Sequence, residues 1–299
     1  MRTALVILNR KQEAYAPRIA ESVSRLDPMP GRVLVVLDRP NLVERRKTEE
    51  AYRDIPGCEI LPVDREPDIV GRPQMVAGED NFCAGACRDA ALEHLGDTYD
   101  FAIFTDGDCM PRTGLVGGHV AAAEAAGGGP LVTVGRRLEF KWEMHDQREV
   151  SKDYPIRIFR DGPYRVTEEE YFVDSGVVWT CNFGISRQAV EAIRDIQGDL
   201  YGYRKVFSPD FAGRWGGEDG FVGLVCLYAG IPLWSVPPSS ADGIIHIEHE
   251  RPARTYDHVA FLEYMESRRR ELYLLLEARG YELPRFRNHS EIIGDRSWQ

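Results

Sequence analysis

Two pairs of carboxylates are the residues in this chain whose type and spacing suit them to chemistry. In FAIFTDGDCM an apolar run ends in Asp106, Gly107 and Asp108. Residues two apart leaving a strand point to the same side, and the intervening glycine lets a ligand approach the backbone. Such a pair offers hard oxygen ligands for Mg²⁺ or Mn²⁺, ions that commonly share their coordination sphere with a diphosphate. In GRWGGEDGFVGLVCLYAG, Glu218 and Asp219 open a run in which Phe221, Leu224, Val225, Leu227 and Tyr228 recur at helical spacing. Acids in a helix's first turn are favoured by the dipole whether or not they react, so this stretch alone reads equally as a helix start. The same dipole is expected to depress the pKa of Asp219 and keep it ionised, fit to take a proton. A third element, IIHIEHERP, sets His246 and His249 three apart before Pro252. An imidazole can complete the coordination of a Mn²⁺ already held by an acid, and a histidine pair in a loop can wrap one ion.

These groups need a scaffold, and the first half of the chain spells one. Short β-branched runs alternate with helical patterns: ALVIL (4–8), a helix from Glu13 to Leu26, VLVVL (33–37), EILPV (59–63), a helix from Phe82 to Leu95, and FAIFT (101–105). Continuous apolar strands separated by helices predict a mainly parallel sheet covered on both faces. Ligands in such sheets sit beyond the carboxyl ends of the strands. Those ends carry Asn9 and Arg10, Asp38 and Arg39, then Asp106 and Asp108. From Lys141 to Asp174 the pattern breaks into a charged, aromatic excursion, read as a hairpin or a flap. SGVVWTCNFGIS is strand-like, a helix follows from Arg187 to Ile196, IPLWSV is a further strand, and a long helix from Asp257 to Arg279 closes the compact part.

Composition narrows the function classes. With 299 residues, 43% apolar and 28% charged, the chain can bury a sizeable core. Its net charge of −11 lacks the electrostatic footprint of a nucleic-acid binder, and Arg268, Arg269 and Arg270 read as a solvated helix face. The five-residue apolar run near the start is too short for a secretory or membrane-spanning segment, so a cytoplasmic protein without a transmembrane segment is expected. The six cysteines show no paired metal-type spacing; they read as small buried side chains.

The order strand-DGD, CNFGIS, WGGEDG, then a strand and HxxH resembles glycosyltransferases of the GT-A fold, most closely the β-1,4-galactosyltransferase and family 2 type of inverting nucleotide-sugar transferase. The resemblance implies an α/β, Rossmann-like catalytic domain over 1–255 and a helical extension over 256–299. Within that domain, 1–140 would bind the nucleotide sugar, 141–175 would be the flap, and 176–255 would carry acceptor and base. It implies Asp108 and His249 as metal ligands with His246 and Asp106 close by, the metal being Mn²⁺ or Mg²⁺. Asp106 would also touch the donor's ribose or sugar. Asn9, Arg10 and Asp38 would line the nucleotide pocket, Arg88 of GACRDAA would stand near the donor, and Trp215 would lie along donor and acceptor. Asp219 would be the general base, with Glu218 holding the acceptor. A UDP-hexose is the expected donor, and the acceptor hydroxyl could belong to a glycan, a lipid-linked sugar, a peptide, a small metabolite or a hydroxymethylated DNA base. Gly220 and Phe221 stand where the galactosyltransferase motif continues with further aspartates. Two other readings compete: a sugar-1-phosphate nucleotidyltransferase, which needs a glycine-rich phosphate loop that ILNRKQEAYAP lacks, and a non-catalytic sugar-binding module.

Overall fold

Five consecutive residues, Ala4 to Leu8, are each exposed by 2% or less. A strand buried on both faces must be sandwiched between two layers, and the rest of the fold follows from that. The computed structural model describes residues 1–64, 83–140, 163–167, 171, 180–211, 217–236, 243–247, 258–283 and 286. In it β1 (Thr3–Asn9) pairs in parallel with β2 (Arg32–Asp38) on one side and β4 (Phe101–Asp106) on the other, and β2 pairs in parallel with β3 (Cys58–Val63).

Side chains alternate across this sheet. Ala4, Val6 and Leu8 join Leu34, Val36 and Phe104 beneath three helices: α3 (Ala84–Leu95), α5 (Arg187–Tyr201) and α6 (Glu218–Tyr228). Leu5 and Ile7 join Val33, Val35, Phe101 and Ile103 on the other face, under α1 (Ala16–Ser24) and α4 (Leu115–Ala125). Each fully buried leucine or isoleucine contributes about 1.5–3 kcal/mol, so a one-residue slip of β1 would turn every contact to the wrong layer.

The full sheet has eight strands in the order β3-β2-β1-β4-β9-β6-β10-β8, adding β6 (Val132–Val134), β8 (Tyr164–Arg165), β9 (Phe183–Ser186) and β10 (Leu233–Ser235). It is mainly parallel, as expected; β9 runs antiparallel to both of its neighbours and β8 is antiparallel to β10. A second, three-stranded sheet is ordered β5 (Cys109–Pro111), β11 (Ile244–Ile247), β7 (Arg137–Phe140).

Several sequence readings need correction. Of SGVVWTCNFGIS, the described residues form a 3₁₀ turn at Thr180–Asn182 and a strand at Phe183–Ser186, and 175–179 lie outside the described residues. No apolar period marks helix α2 (Leu42–Tyr52), although Asn41 and Glu44 form a capping box at its start. Glycines in LVGGHVAAAEA likewise concealed α4. Arg268 and Arg269, on α7 (His258–Glu277), are not a solvated face. Arg268 lies over the rings of Tyr201 and Phe221 and pairs with Asp210 at 2.5 Å, while Arg269 is 3% exposed and donates to the Tyr228 hydroxyl. Long cationic stems thus join α7 to α5 and α6 through packing as well as charge. Of the 141–175 excursion, some described residues reach the core: β8 pairs with β10, and Val166 and Tyr171 are buried.

A buried polar triad joins α4 to the sheet. Asn182 Nδ2 donates to the carbonyl of Arg136 at 2.8 Å, so its Oδ1 must accept; His119 therefore carries its proton on Nε2, donates to Asn182 at 2.7 Å, and accepts from the Thr133 hydroxyl at 2.6 Å. Burial holds this imidazole neutral and pushes its pKa down to about 4. The unfolded chain takes up that proton near pH 6.5 while the folded chain does not, so this contribution is present above pH 6.5 and is lost as pH falls toward 4, by up to about 3 kcal/mol. Urea unfolding of His119→Gln should show a protein less stable at pH 7 whose further loss between pH 6.5 and 4 is smaller than that of wild type.

Candidate active site

Asp106 is the last residue of β4 and lies opposite Leu8 in the parallel ladder, so the DGD turn emerges beside the turn that follows β1. The two turns are in close contact. Gly107 N–H donates to the Leu8 carbonyl at 2.7 Å, and a Cβ at Gly107 would fall 2.7 Å from Gln12 Oε1 and 3.1 Å from Asn9 Cγ. A larger residue there would displace the Gln12 amide and crowd Asn9. Gln12 Nε2 donates to Asp108 Oδ2 at 2.8 Å, and the Gln12 amide donates to Asn9 Oδ1 at 3.2 Å. Nothing in the pattern near the first strand singles out Gln12, because its partner is reached only through the parallel pairing.

His246 arrives from the second sheet. β11 runs antiparallel to β5 with His246 opposite Cys109, and the Ile247 amide donates to the Asp108 carbonyl at 2.8 Å. This ladder puts His246 Nε2 3.5 Å from Asp108 Oδ2. The histidine sits on a strand, not in the loop expected from its sequence, and strand register gives it the position that a wrapping loop was invoked to provide. Adjacent ligands about 2.1 Å from an octahedral ion lie about 3 Å apart, so this carboxylate and imidazole suit Mn²⁺ or Mg²⁺ in both chemistry and spacing. His249 and Trp215 lie outside the described residues.

Arg88 joins the two acidic motifs. It lies on α3, is 2% exposed, and donates through Nη2 to Asp106 Oδ1 at 2.9 Å and through Nη1 to Glu218 Oε1 at 3.0 Å. Helix α6 begins at Glu218 after Gly217, whose φ of 96° is accessible at low cost only to glycine. Asp219 Oδ1 accepts from the Gly220 amide at 2.8 Å, and the Thr180 amide also donates to this carboxylate. Tyr171 donates its hydroxyl to the Gly220 carbonyl at 2.5 Å, so the excursion helps to hold the same helix start.

The electrostatics depart from the helix-dipole expectation. Burial raises the pKa of Glu218 to about 7, with the charge of Asp219 adding to the rise and Arg88 opposing it. Burial likewise raises Asp219 and Asp106, against the pull of Arg88 in both cases. The amides at the start of α6 do lower Asp219, as a helix N-terminus should, yet desolvation beside a second carboxylate outweighs them.

At the ends of β1 and β2 the expected polar residues are present and paired. Asp38 is 4% exposed and accepts from Arg10 Nη1 at 2.9 Å and from Arg39 Nε at 3.1 Å. Lys11 and Arg39 occupy the left-handed region, at φ of 51° and 46°, and backbone strain of this kind concentrates at functional sites. Asn9, Arg10, Asp38, Asp106, Asp108, His246, Arg88, Glu218 and Asp219 all belong to the carboxyl edge of the sheet or to elements tied to it.

Replacing Arg88 by methionine leaves Asp106 and Glu218 without their shared counter-ion. Urea unfolding should show a loss of about 3–5 kcal/mol at alkaline pH, and the deficit should shrink as pH falls toward 7, because a Glu218 carboxyl that titrates at about 7 against the pull of Arg88 titrates higher still without it. Arg88→Lys, with one ammonium in place of a two-armed guanidinium, should recover only part of it.

No family profile and no curated protein matches the chain. Solved structures do. S. aureus TarS 1–349 in complex with UDP-GlcNAc aligns with a TM-score of 0.62 and 15% identity over 98% of this chain and 70% of that one. GalNAc-T7 with UDP, GalNAc and Mn²⁺ aligns at 0.56 and 13% identity, over 95% and 58% of the two chains. The mannosyltransferase PcManGT from Pyrobaculum calidifontis, in complex with GDP-Man and Mn²⁺, aligns at 0.52 and 12%, over 98% and 67%. All three are GT-A-type proteins, and at such identities what the likeness carries is architecture. The chain has the GT-A fold.

Proposed function

We propose that the protein is a metal-dependent, inverting glycosyltransferase that moves a sugar from a nucleotide sugar, a UDP-hexose, to an acceptor hydroxyl. The observation that carries this reading is the double contact of Arg88, which sets the DGD strand end and the Glu218–Asp219 helix start into one site. Support comes from the similar structures, two of which were solved with UDP or a UDP-sugar and two with Mn²⁺. No helix among the described residues is long and apolar enough to cross a membrane.

In this reading Asn9, Arg10 and Asp38 flank the nucleoside, and Asp106 contacts the ribose or the sugar. Asp108 and His246 hold Mn²⁺ or Mg²⁺, joined by His249. The ion, when bound, serves as a Lewis acid for the charge that develops on the diphosphate. Asp219 takes the proton of the acceptor hydroxyl as that oxygen bonds to the anomeric carbon and the bond from that carbon to the diphosphate oxygen breaks. Burial raises the Asp219 carboxyl above the usual aspartate range, which makes its ionised form a stronger proton acceptor. Glu218, with Oε1 held by Arg88, positions the acceptor through its other oxygen, and Trp215 covers the pair. One displacement of this kind converts an α-linked donor into a β-linked product.

Two measurements check the reading. Asp219→Asn keeps the helix start but removes the proton acceptor, so UDP binding should survive while turnover with saturating donor falls by about 10²- to 10⁴-fold; turnover within a few-fold of wild type would place the base elsewhere. Calorimetric titration of UDP in the presence of Mn²⁺ should show weaker, less metal-dependent binding in both Asp108→Ala and His246→Ala. Wild-type affinity in both variants would remove the shared ion site.

A further inference from the structure

The fold brings together two cysteines to which the transfer mechanism gives no role. Cys109 lies on β5, immediately after Asp108, and Cys181 lies in the 3₁₀ turn before β9. The two Sγ atoms and a carboxylate oxygen of Asp106 all lie within 4.8 Å of one another. Cys109 Sγ also donates to Asp108 Oδ1 at 3.2 Å. In a tetrahedral zinc site with Zn–S of about 2.3 Å and Zn–O of about 2.0 Å, the ligand atoms lie about 3.3–3.8 Å apart. The Cys109 sulfur–Asp108 distance is already close to that range, and a contraction of about 1 Å would bring the ligand atoms of Cys109, Cys181 and Asp106 into it.

We propose that Cys109, Cys181 and Asp106, with Asp108 as fourth ligand, form a site for a thiophilic divalent cation of the zinc class, whose occupation excludes the hard ion from Asp108 and His246. Ligand softness makes the two sites distinct. Thiolates select zinc-like ions, whereas a carboxylate and an imidazole facing a diphosphate suit Mg²⁺ or Mn²⁺. Binding releases the two thiol protons to solvent. Arg88, 2.9 Å from Asp106, offsets part of the negative charge that results. Entry is available from the Asp106 side, whose side chain is 30% exposed, while Cys109 is wholly buried. The exclusion rests on the proposed hard-ion site at Asp108; the thiolate site itself does not.

Cadmium is the probe, because its bond to thiolate absorbs in the ultraviolet. A Cys58→Ser background removes the one cysteine that is not buried. Titrating Cd²⁺ into this protein should give one site with a two-thiolate charge-transfer band. Cys181→Ser should weaken binding by about 100-fold and reduce the band to that of one thiolate, and Asp106→Asn should weaken binding by about 10-fold with the band kept, magnitudes in the range seen when a metal's supporting groups are removed. Circular dichroism and melting of each variant establish that it is folded. A missing band in the background protein, or the same band and affinity in folded Cys181→Ser, would overturn the site. Competition is read without nucleotide, by the paramagnetic resonance of free Mn²⁺: Cd²⁺ should release bound Mn²⁺ in step with the band. Mn²⁺ that stays bound beside Cd²⁺ would overturn the exclusion, and Mn²⁺ that never binds while the band appears would overturn the hard-ion reading and the exclusion together but leave the thiolate site standing.

Discussion

The whole site depends on one buried guanidinium. Arg88 is held on α3 within the apolar layer that covers β1 and β4, and its two nitrogen arms reach carboxylates from motifs more than a hundred residues apart in sequence. A buried cation this close to two carboxylates is tolerated because each is the other's counter-charge, and the desolvation that would be prohibitive for any one of them is shared by three. Burial pushes Glu218 and Asp106 toward the protonated form while Arg88 pulls them back, and the balance leaves Glu218 titrating near neutrality. A lysine would take this place only in part, because its compact ammonium lacks the planar fork that reaches both carboxylates at once.

A second constraint is imposed by strand pairing. Asp108 has three neighbours: Gln12 delivered through the β1–β4 pairing, His246 through the β5–β11 pairing, and Cys109 by direct succession in the chain. A carboxylate so surrounded is oriented before any ligand arrives. Preorganisation of this type is what an electrostatic site requires, since the cost of ordering has been met on folding rather than on binding. Asp38 with Arg10 and Arg39 shows the same arrangement at the neighbouring strand ends.

Departures from the sequence reading share one cause. Helix α4 is glycine-rich and nearly uniformly apolar, so no amphipathic period marks it, and α2 was betrayed only by its cap. Arg268 and Arg269 read as a charged face because a sequence does not show the aromatic rings of Tyr201, Phe221 and Phe286 that receive them. The helix start at Glu218 was legible, but the direction in which Asp219 shifts was not, because desolvation depends on what else is packed around the carboxylate.

Composition and order along the chain determined the class of the answer. Apolar runs continuous over five residues, separated by helices, require a sheet covered on both faces, and polar residues at the ends of those runs require that the site lie along the carboxyl edge. Those are local properties, readable because period and run length are local. What tertiary structure alone decided is which of the candidate residues meet: Arg88 between Asp106 and Glu218, His246 beside Asp108, Thr180 against Asp219, Cys181 beside Cys109. Each of these contacts joins elements far apart in the chain, and their distances follow from strand order and helix packing, which depend on the whole core at once and on no single segment.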